Sequence, residues 1–139
     1  MNEFHSIGQS VFIAEKYFKQ FFKEAVKPFG LNRAEAMTLM MLCADKSLAE
    51  LHYDKGVLSR TLQCLEDKGY ITRSASEADG RANDIKVTAS AIEIGRSIDR
   101  IIVDWNNKVL SGIEDKELLK RMLCIMIENA RHLANEKVK

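Results

Sequence analysis

Between residues 7 and 26 the apolar side chains recur at helical spacing without a break. Ile7, Val11, Ala14, Phe18, Phe21 and Ala25 follow one another at steps of 4, 3, 4, 3 and 4 positions. Phe12, Phe22 and Val26 widen that stripe beyond a simple seam. A helix over about residues 6–26 would run about 30 Å at the α-helical rise. So long and aromatic a helix asks for more cover than a small domain supplies alone. Pro28 and Gly30 end it. Only one proline and seven glycines occur in 139 residues, so breakers are scarce and a mostly helical fold is expected.

Asn32 reads as the N-cap of a second helix, with Glu35 in the capping-box position. That helix carries Ala36, Leu39, Met40, Leu42 and Cys43, and fades at Ala44, Asp45 and Lys46. A short helix is expected from Ser47 to about His52, with Glu50 at its capping-box position. Asp54 caps the next helix, Lys55 to about Lys68, which Gly69 stops; Leu58, Leu62 and Leu65 are its inward face. Tyr70–Arg73 and Ile85–Thr88 are β-prone and flank a polar loop with Asp79 and Gly80 near its middle, which predicts a hairpin with an extended tip. From Ala89 the pattern is helical again, with Ile94, Ile98, Ile101, Ile102, Trp105 and Val109 on one broad face. Ser111 and Gly112 interrupt it. A last helix from about Asp115 carries Leu118, Leu119, Met122, Met126, Ala130 and Leu133. No repeat or low-complexity tract occurs. The expected fold is mainly α with a small β-wing: a winged helix-turn-helix over residues 30–90, and a helical lobe built from 1–29 and 91–139.

The Lys55–Lys68 helix turns Gly56, Ser59, Arg60 and Gln63 to one outer face, because residues three and four apart are neighbours on a helix. Ser, Arg and Gln bond base edges and phosphates, and a glycine lets a groove wall come close. Lys55 lies at the helix N-terminus, where backbone N–H groups also attract phosphate. A solvated polar face looks much the same in isolation. The flanking short helix and hairpin favour the nucleic-acid reading, since a winged helix places one helix in the major groove while its wing reaches an adjacent groove. Arg81 at the wing tip then suits the negative potential of a narrow minor groove. Net charge is +1, so a polyanionic partner must be recognised by a local patch. Residues 55–73 hold four basic side chains (Lys55, Arg60, Lys68, Arg73) and two acidic ones (Glu66, Asp67).

Other chemistry finds little support. His5, His52 and His132 lie in no metal-ligand spacing, and no nucleophile–base pair, phosphate-binding glycine loop or catalytic carboxylate pair stands out, so neither an enzyme nor a cofactor is expected. Cys43, Cys64 and Cys124 are far apart, which fits free thiols in a reducing compartment; apolar neighbours suggest that they are buried and inert. Cys64 alone, on the Lys55–Lys68 helix, would disturb nucleic-acid binding if oxidised. No segment approaches the length of a membrane span, and a cytoplasmic location is expected.

From Leu58 to Thr88 the sequence resembles the MarR family of bacterial transcription regulators. The residues that carry the likeness are Ser59-Arg60, Leu65-Glu66-Asp67-Lys68-Gly69, Asp79-Gly80-Arg81 and Val87-Thr88. The stretch from Gly30 to Leu42 resembles the family's second helix. This resemblance implies a homodimer held by the first and last two helices, and two winged helices reading a pseudo-palindrome in double-stranded DNA, most often as an effector-responsive repressor. It implies DNA contacts from Lys55, Gly56, Ser59, Arg60, Gln63, Arg73 and Arg81, with Asp79 bracing the wing. A small aromatic effector is also implied, and the Phe12, Phe18, Phe21, Phe22 cluster is either its pocket or dimer core. Cysteine-based peroxide sensing in some relatives uses the first helix, which has no cysteine here. The turn Leu48–Asp54 is somewhat short for the family, and Glu77, Asp79 and Asp84 offset Arg73, Arg81 and Lys86 around the wing. Both features motivate an alternative: a winged-helix protein-interaction module that has lost DNA binding.

Overall fold

The structure, a computed structural model, describes residues 6–51, 53–75 and 83–136. Five helices and one hairpin follow in the order α1 (Ile7–Val26), α2 (Arg33–Cys43), α3 (Lys55–Asp67), β1 (Ile71–Ala75), β2 (Asn83–Val87), α4 (Ala89–Val109) and α5 (Lys116–Glu136). The chain divides into two compact units, Met1–Ile102 and Val103–Lys139.

Local sequence chemistry accounts for most element boundaries in the first unit. Ser6 and Gln9 close a reciprocal capping box on α1: Ser6 Oγ accepts from the Gln9 N–H at 3.2 Å, and Gln9 Oε1 accepts from the Ser6 N–H at 2.9 Å. After α1, Pro28 sits in a single 3₁₀ turn, Lys27–Phe29, and Gly30 reverses the chain at φ 70°. Asn32 and Glu35 form the same box on α2, at 2.8 and 2.9 Å. Asp54 caps α3 through Oδ1, 2.7 Å from the Val57 nitrogen. Gly69 takes φ 78° just past the end of α3, a left-handed conformation that a side chain would resist. The short helix expected from Ser47 to about His52 takes the form of a 3₁₀ turn, Leu48–Leu51. Asp45, left-handed at φ 54°, sets the chain off on a new course just before it, and a segment this short takes the tighter 3₁₀ winding.

The core draws on the α-helices of this unit and on β1, with Ile85 and Val87 of β2 packed against it. Phe22 and Val26 from α1, Leu31, Ala36 and Leu39 from α2 and its entry, Leu65 from α3, Ile71 from β1, and Ala91 and Ile98 from α4 are all buried. The C-terminal half of α1 and the first half of α4 therefore help build the winged-helix core. The phenylalanine cluster divides: Phe22 is 1% exposed and stacks on Phe18 at 5.5 Å between ring centroids, whereas Phe12 is 70% exposed. On α3, Leu65 is fully buried and Thr61 nearly so, while Leu58 and Leu62 flank them half-buried.

β1 and β2 pair antiparallel in the register Ile71↔Val87 through Ala75↔Asn83. Thr88 then fastens the base of the hairpin. Its hydroxyl lies 2.9 Å from the Gly69 carbonyl and accepts from the Ala91 N–H at 3.3 Å, capping α4. The tip of the hairpin, with Glu77, Asp79, Gly80 and Arg81, lies outside the described residues, as do His5 and His52.

In the second unit Gly112 turns the chain at φ 88°, and Asp115 caps α5 by accepting from the Leu118 N–H at 2.9 Å. No residue of α5 is buried. Leu118, Met122, Leu123, Ile125, Ile127 and Leu133 are all exposed large apolar side chains.

Candidate nucleic-acid interface

Helix α3 presents Lys55, Gly56, Ser59, Arg60 and Gln63 as exposed residues, on the face opposite Thr61 and Leu65. The outer face expected of this helix is thus exposed. Asp54 shapes its N-terminal end. A Cβ at position 56 would stand 3.4 Å from Asp54 Oδ1 and 3.5 Å from Arg60 Nη1. The Arg60 guanidinium therefore lies back over the first turn of α3, above the glycine, where the helix dipole and free N–H groups are also positive. Neither Lys55 nor Arg60 pairs with a carboxylate among the described residues. Arg33, at the start of α2, is exposed as well.

The other two basic residues of the 55–73 stretch are committed within the chain. Lys68 Nζ donates to Glu35 Oε2 at 2.6 Å and to the Gly30 carbonyl at 2.7 Å. Glu35 is 3% exposed, so this is a largely desolvated anchor between the end of α3 and the start of α2. Arg73, on β1, donates through Nη2 to Gln63 Oε1 at 3.0 Å and to Glu66 Oε1 at 3.3 Å. Gln63 Nε2 in turn donates to Asp67 Oδ1 at 3.0 Å and approaches Glu66 Oε1 at 3.4 Å. Arg73 and Gln63, expected as independent DNA contacts, are brought together in one network that ties the first wing strand to α3. Nothing in helical spacing could show this link, because the two residues are ten positions apart and meet only across the Gly69 turn. Lys68 and Glu35 were equally hidden, being 33 positions apart. Asp79 and Arg81 lie outside the described residues.

A cleft of about 590 Å³ opens beside α1 and α2. Phe18, Phe22, Met37, Leu51 and Tyr53 line it, and Lys19 and Arg33 stand among its polar neighbours. Thr38, on the same helix as Met37, has a fully buried hydroxyl oxygen with no hydrogen-bond partner among the described residues.

The cysteines differ from expectation: Cys43, Cys64 and Cys124 are all exposed. Cys43 ends α2, Cys64 falls outside the buried face of α3, and Cys124 belongs to a helix with no buried residue. The sulfur of Cys43 lies 3.7 Å from the Ala91 carbonyl. Burial, and then the charge of Asp99, push its thiol pKa up, which makes it less reactive. Among the described residues no group of three or more His, Cys, Asp or Glu could hold a metal ion, and no helix is long and apolar enough to cross a membrane.

The geometry is that of a helix-turn-helix with a strand hairpin following its exposed helix, and comparison with known proteins agrees. The MarR family model matches residues 29–82, which span α2, α3 and the first wing strand. The matched segment is similar to the MarR family, and the fold is that of MarR winged-helix proteins. The HTH-type transcriptional regulator BilQ of Clostridioides difficile (strain CD3) is 27% identical over 129 residues, covering 86% of this chain and 87% of that relative. A MarR transcriptional regulator from Methanosarcina mazei Go1 has the same fold at a TM-score of 0.82 and 24% identity, over 91% of this chain and 97% of its own. The S. aureus MepR–DNA complex matches at a TM-score of 0.77 and 21% identity, over 90% and 98%. The relatives that the chain resembles are named as transcriptional regulators.

Proposed function

We propose that this chain is a homodimeric repressor that binds a pseudo-palindromic operator through α3 and the wing, and releases it in response to a small-molecule effector. The observation that carries the reading is the exposed N-terminal half of α3, where Lys55, Ser59 and Arg60 surround Gly56 and make no ion pair among the described residues. Lys55 and Arg60 supply phosphate or base contact, Ser59 a hydroxyl, and Gly56 the room for close approach. Gln63 stands next along the same face, while Arg73 serves it from behind. Arg81 would enter the minor groove from the wing, braced by Asp79. A relative of this fold in complex with DNA supports the mode of binding.

Two further features support the rest. The apolar residues that α5 leaves exposed suit a helix covered by a second copy of the chain. Two-fold symmetry then places half-sites about one helical turn apart, ~34 Å. The cleft lined by Phe18, Phe22, Met37 and Tyr53, with Arg33 beside it, suits a small aromatic effector, which would shift the dimer between DNA-competent and incompetent forms.

The test is binding to duplexes selected from a random pool, followed by titration in salt. With about three phosphates neutralised by each half, the log–log slope is expected near about −5. Arg60→Ala is expected to weaken binding by about 1–3 kcal/mol and to leave the oligomeric state unchanged. Unchanged affinity in both Arg60→Ala and Arg81→Ala would reject this mode of binding.

A further inference from the structure

Gln63 is the side chain on the reading face whose hydrogen-bonding groups are already in use. A glutamine amide has two N–H donors and one oxygen with two lone pairs. Both donors are spent inside the chain, at 3.0 Å on Asp67 Oδ1 and at 3.4 Å on Glu66 Oε1. The oxygen accepts from Arg73 Nη2 at 3.0 Å. This orientation is dictated by chemistry. Exchanging nitrogen and oxygen would set the oxygen against two carboxylates, which only accept, and the NH₂ group against a guanidinium, which only donates. Glu66 also closes the network with Arg73 at 3.3 Å, so the two clamps on the amide hold each other. A free glutamine reads adenine by donating to N7 while accepting from N6. Gln63 has no donor left to give. What remains to it is one lone pair on Oε1.

We propose that Asp67 is a positioning residue which, with Arg73 as its counter-clamp, makes Gln63 an acceptor-only reader of DNA. The base opposite Gln63 in each half-site is then an amino base, adenine or cytosine, and the two are not distinguished. Adenine N6 and cytosine N4 both donate in the major groove, whereas guanine O6 and thymine O4 would face oxygen with oxygen. This inference deepens the proposed function and rests on its placement of α3 in the major groove.

Base preferences selected from a random duplex pool, by the full chain and three variants, test it. The wild type is expected to enrich adenine and cytosine about tenfold over guanine and thymine at one base pair per half-site. Gln63→Ala flattens that position to within about twofold and leaves the others unchanged. Asp67→Ala, at an exposed residue whose loss does not threaten folding, frees a donor and narrows the position to adenine, about tenfold over cytosine. Asp67→Asn keeps an acceptor for Gln63 while losing the charge, and restores the wild-type profile. Asp67→Ala raises general affinity by removing a negative charge, but only the hydrogen bond alters which bases are chosen. An Asp67→Ala profile identical to wild type, a Gln63→Ala profile without a flattened position, or guanine or thymine enriched at the position that Gln63→Ala flattens overturns the inference. A wild-type chain that enriches no duplex overturns instead the reading on which it rests.

Discussion

Two stretches of this chain are about equally apolar on paper and opposite in burial. The segment from Phe22 to Leu39 sends Phe22, Val26, Leu31, Ala36 and Leu39 into a core shared with Leu65, Ile71 and Ile98. Helix α5 carries as regular a stripe and buries none of it. The difference lies in company. Residues 22–39 are followed by short, sharply capped elements that return the chain on itself, whereas α5 follows one long helix with a single glycine turn between them. An amphipathic stripe records that something must cover it; the connections on either side decide whether the same chain does.

The largest effect that separates the two regions is truncation of a core residue. Leu65→Ala removes a fully buried side chain at the meeting point of α2, α3 and β1, and is expected to lower unfolding stability by about 2–5 kcal/mol at every protein concentration. Ile125→Ala removes a side chain 62% exposed on α5, and within one chain is expected to change stability by less than about 0.5 kcal/mol. Denaturant titrations at several concentrations read both. If a second copy covers α5, Ile125→Asp converts the dimer to monomer in sedimentation while Leu65→Ala does not. A dimer indifferent to Ile125→Asp would remove α5 from the interface.

A smaller contrast concerns ion pairs. Lys68 and Glu35 meet with the carboxylate only 4% exposed, and the Gly30 carbonyl completes the site. Lys68→Met leaves Glu35 Oε2 desolvated with no partner, for an expected loss of about 1–3 kcal/mol. Lys108 and Asp104 on α4 pair at 2.9 Å with both side chains largely in water, and Lys108→Met should change stability by under about 0.5 kcal/mol. Equal losses at the two sites, measured by chemical unfolding, would show that Glu35 is better hydrated than its burial implies.

These contrasts also mark what the sequence could disclose. Element type followed from spacing, and element ends from caps whose chemistry is local: Asn32 with Glu35, Asp54, Gly30 and Gly69 all act within four residues of the boundary they set. The exposed face of α3 was legible for the same reason, since its period is that of the helix itself. The connections that give the face its character were not. Lys68 to Glu35 and Arg73 to Gln63 each join two elements across a turn, and no periodicity reports such a meeting. Nor could a stripe reveal that Phe22 enters the core while Phe12, ten positions earlier on the same helix, stays in water.

The finest distinction is between two thiols. Cys43 closes α2 with its sulfur against α4, so close that a Cβ at Gly95 would come within 3.0 Å of it. Burial, reinforced by the charge of Asp99, raises its pKa. Cys124 lies on α5, where nothing in the chain is buried. Alkylation near pH 8 is therefore expected to be slower at Cys43 than at Cys124 in the dissociated chain, and to catch up when the protein is unfolded. The sign for stability follows. The folded chain holds the Cys43 proton more tightly than the unfolded chain does, so the contribution is intact below the ordinary thiol range and declines as pH rises through the raised value. Cys43→Ser should flatten that alkaline decline. If dimerisation covers α5, raising the protein concentration should slow Cys124 and leave Cys43 unchanged, so one mass-resolved labelling series sets the closed region against the open one.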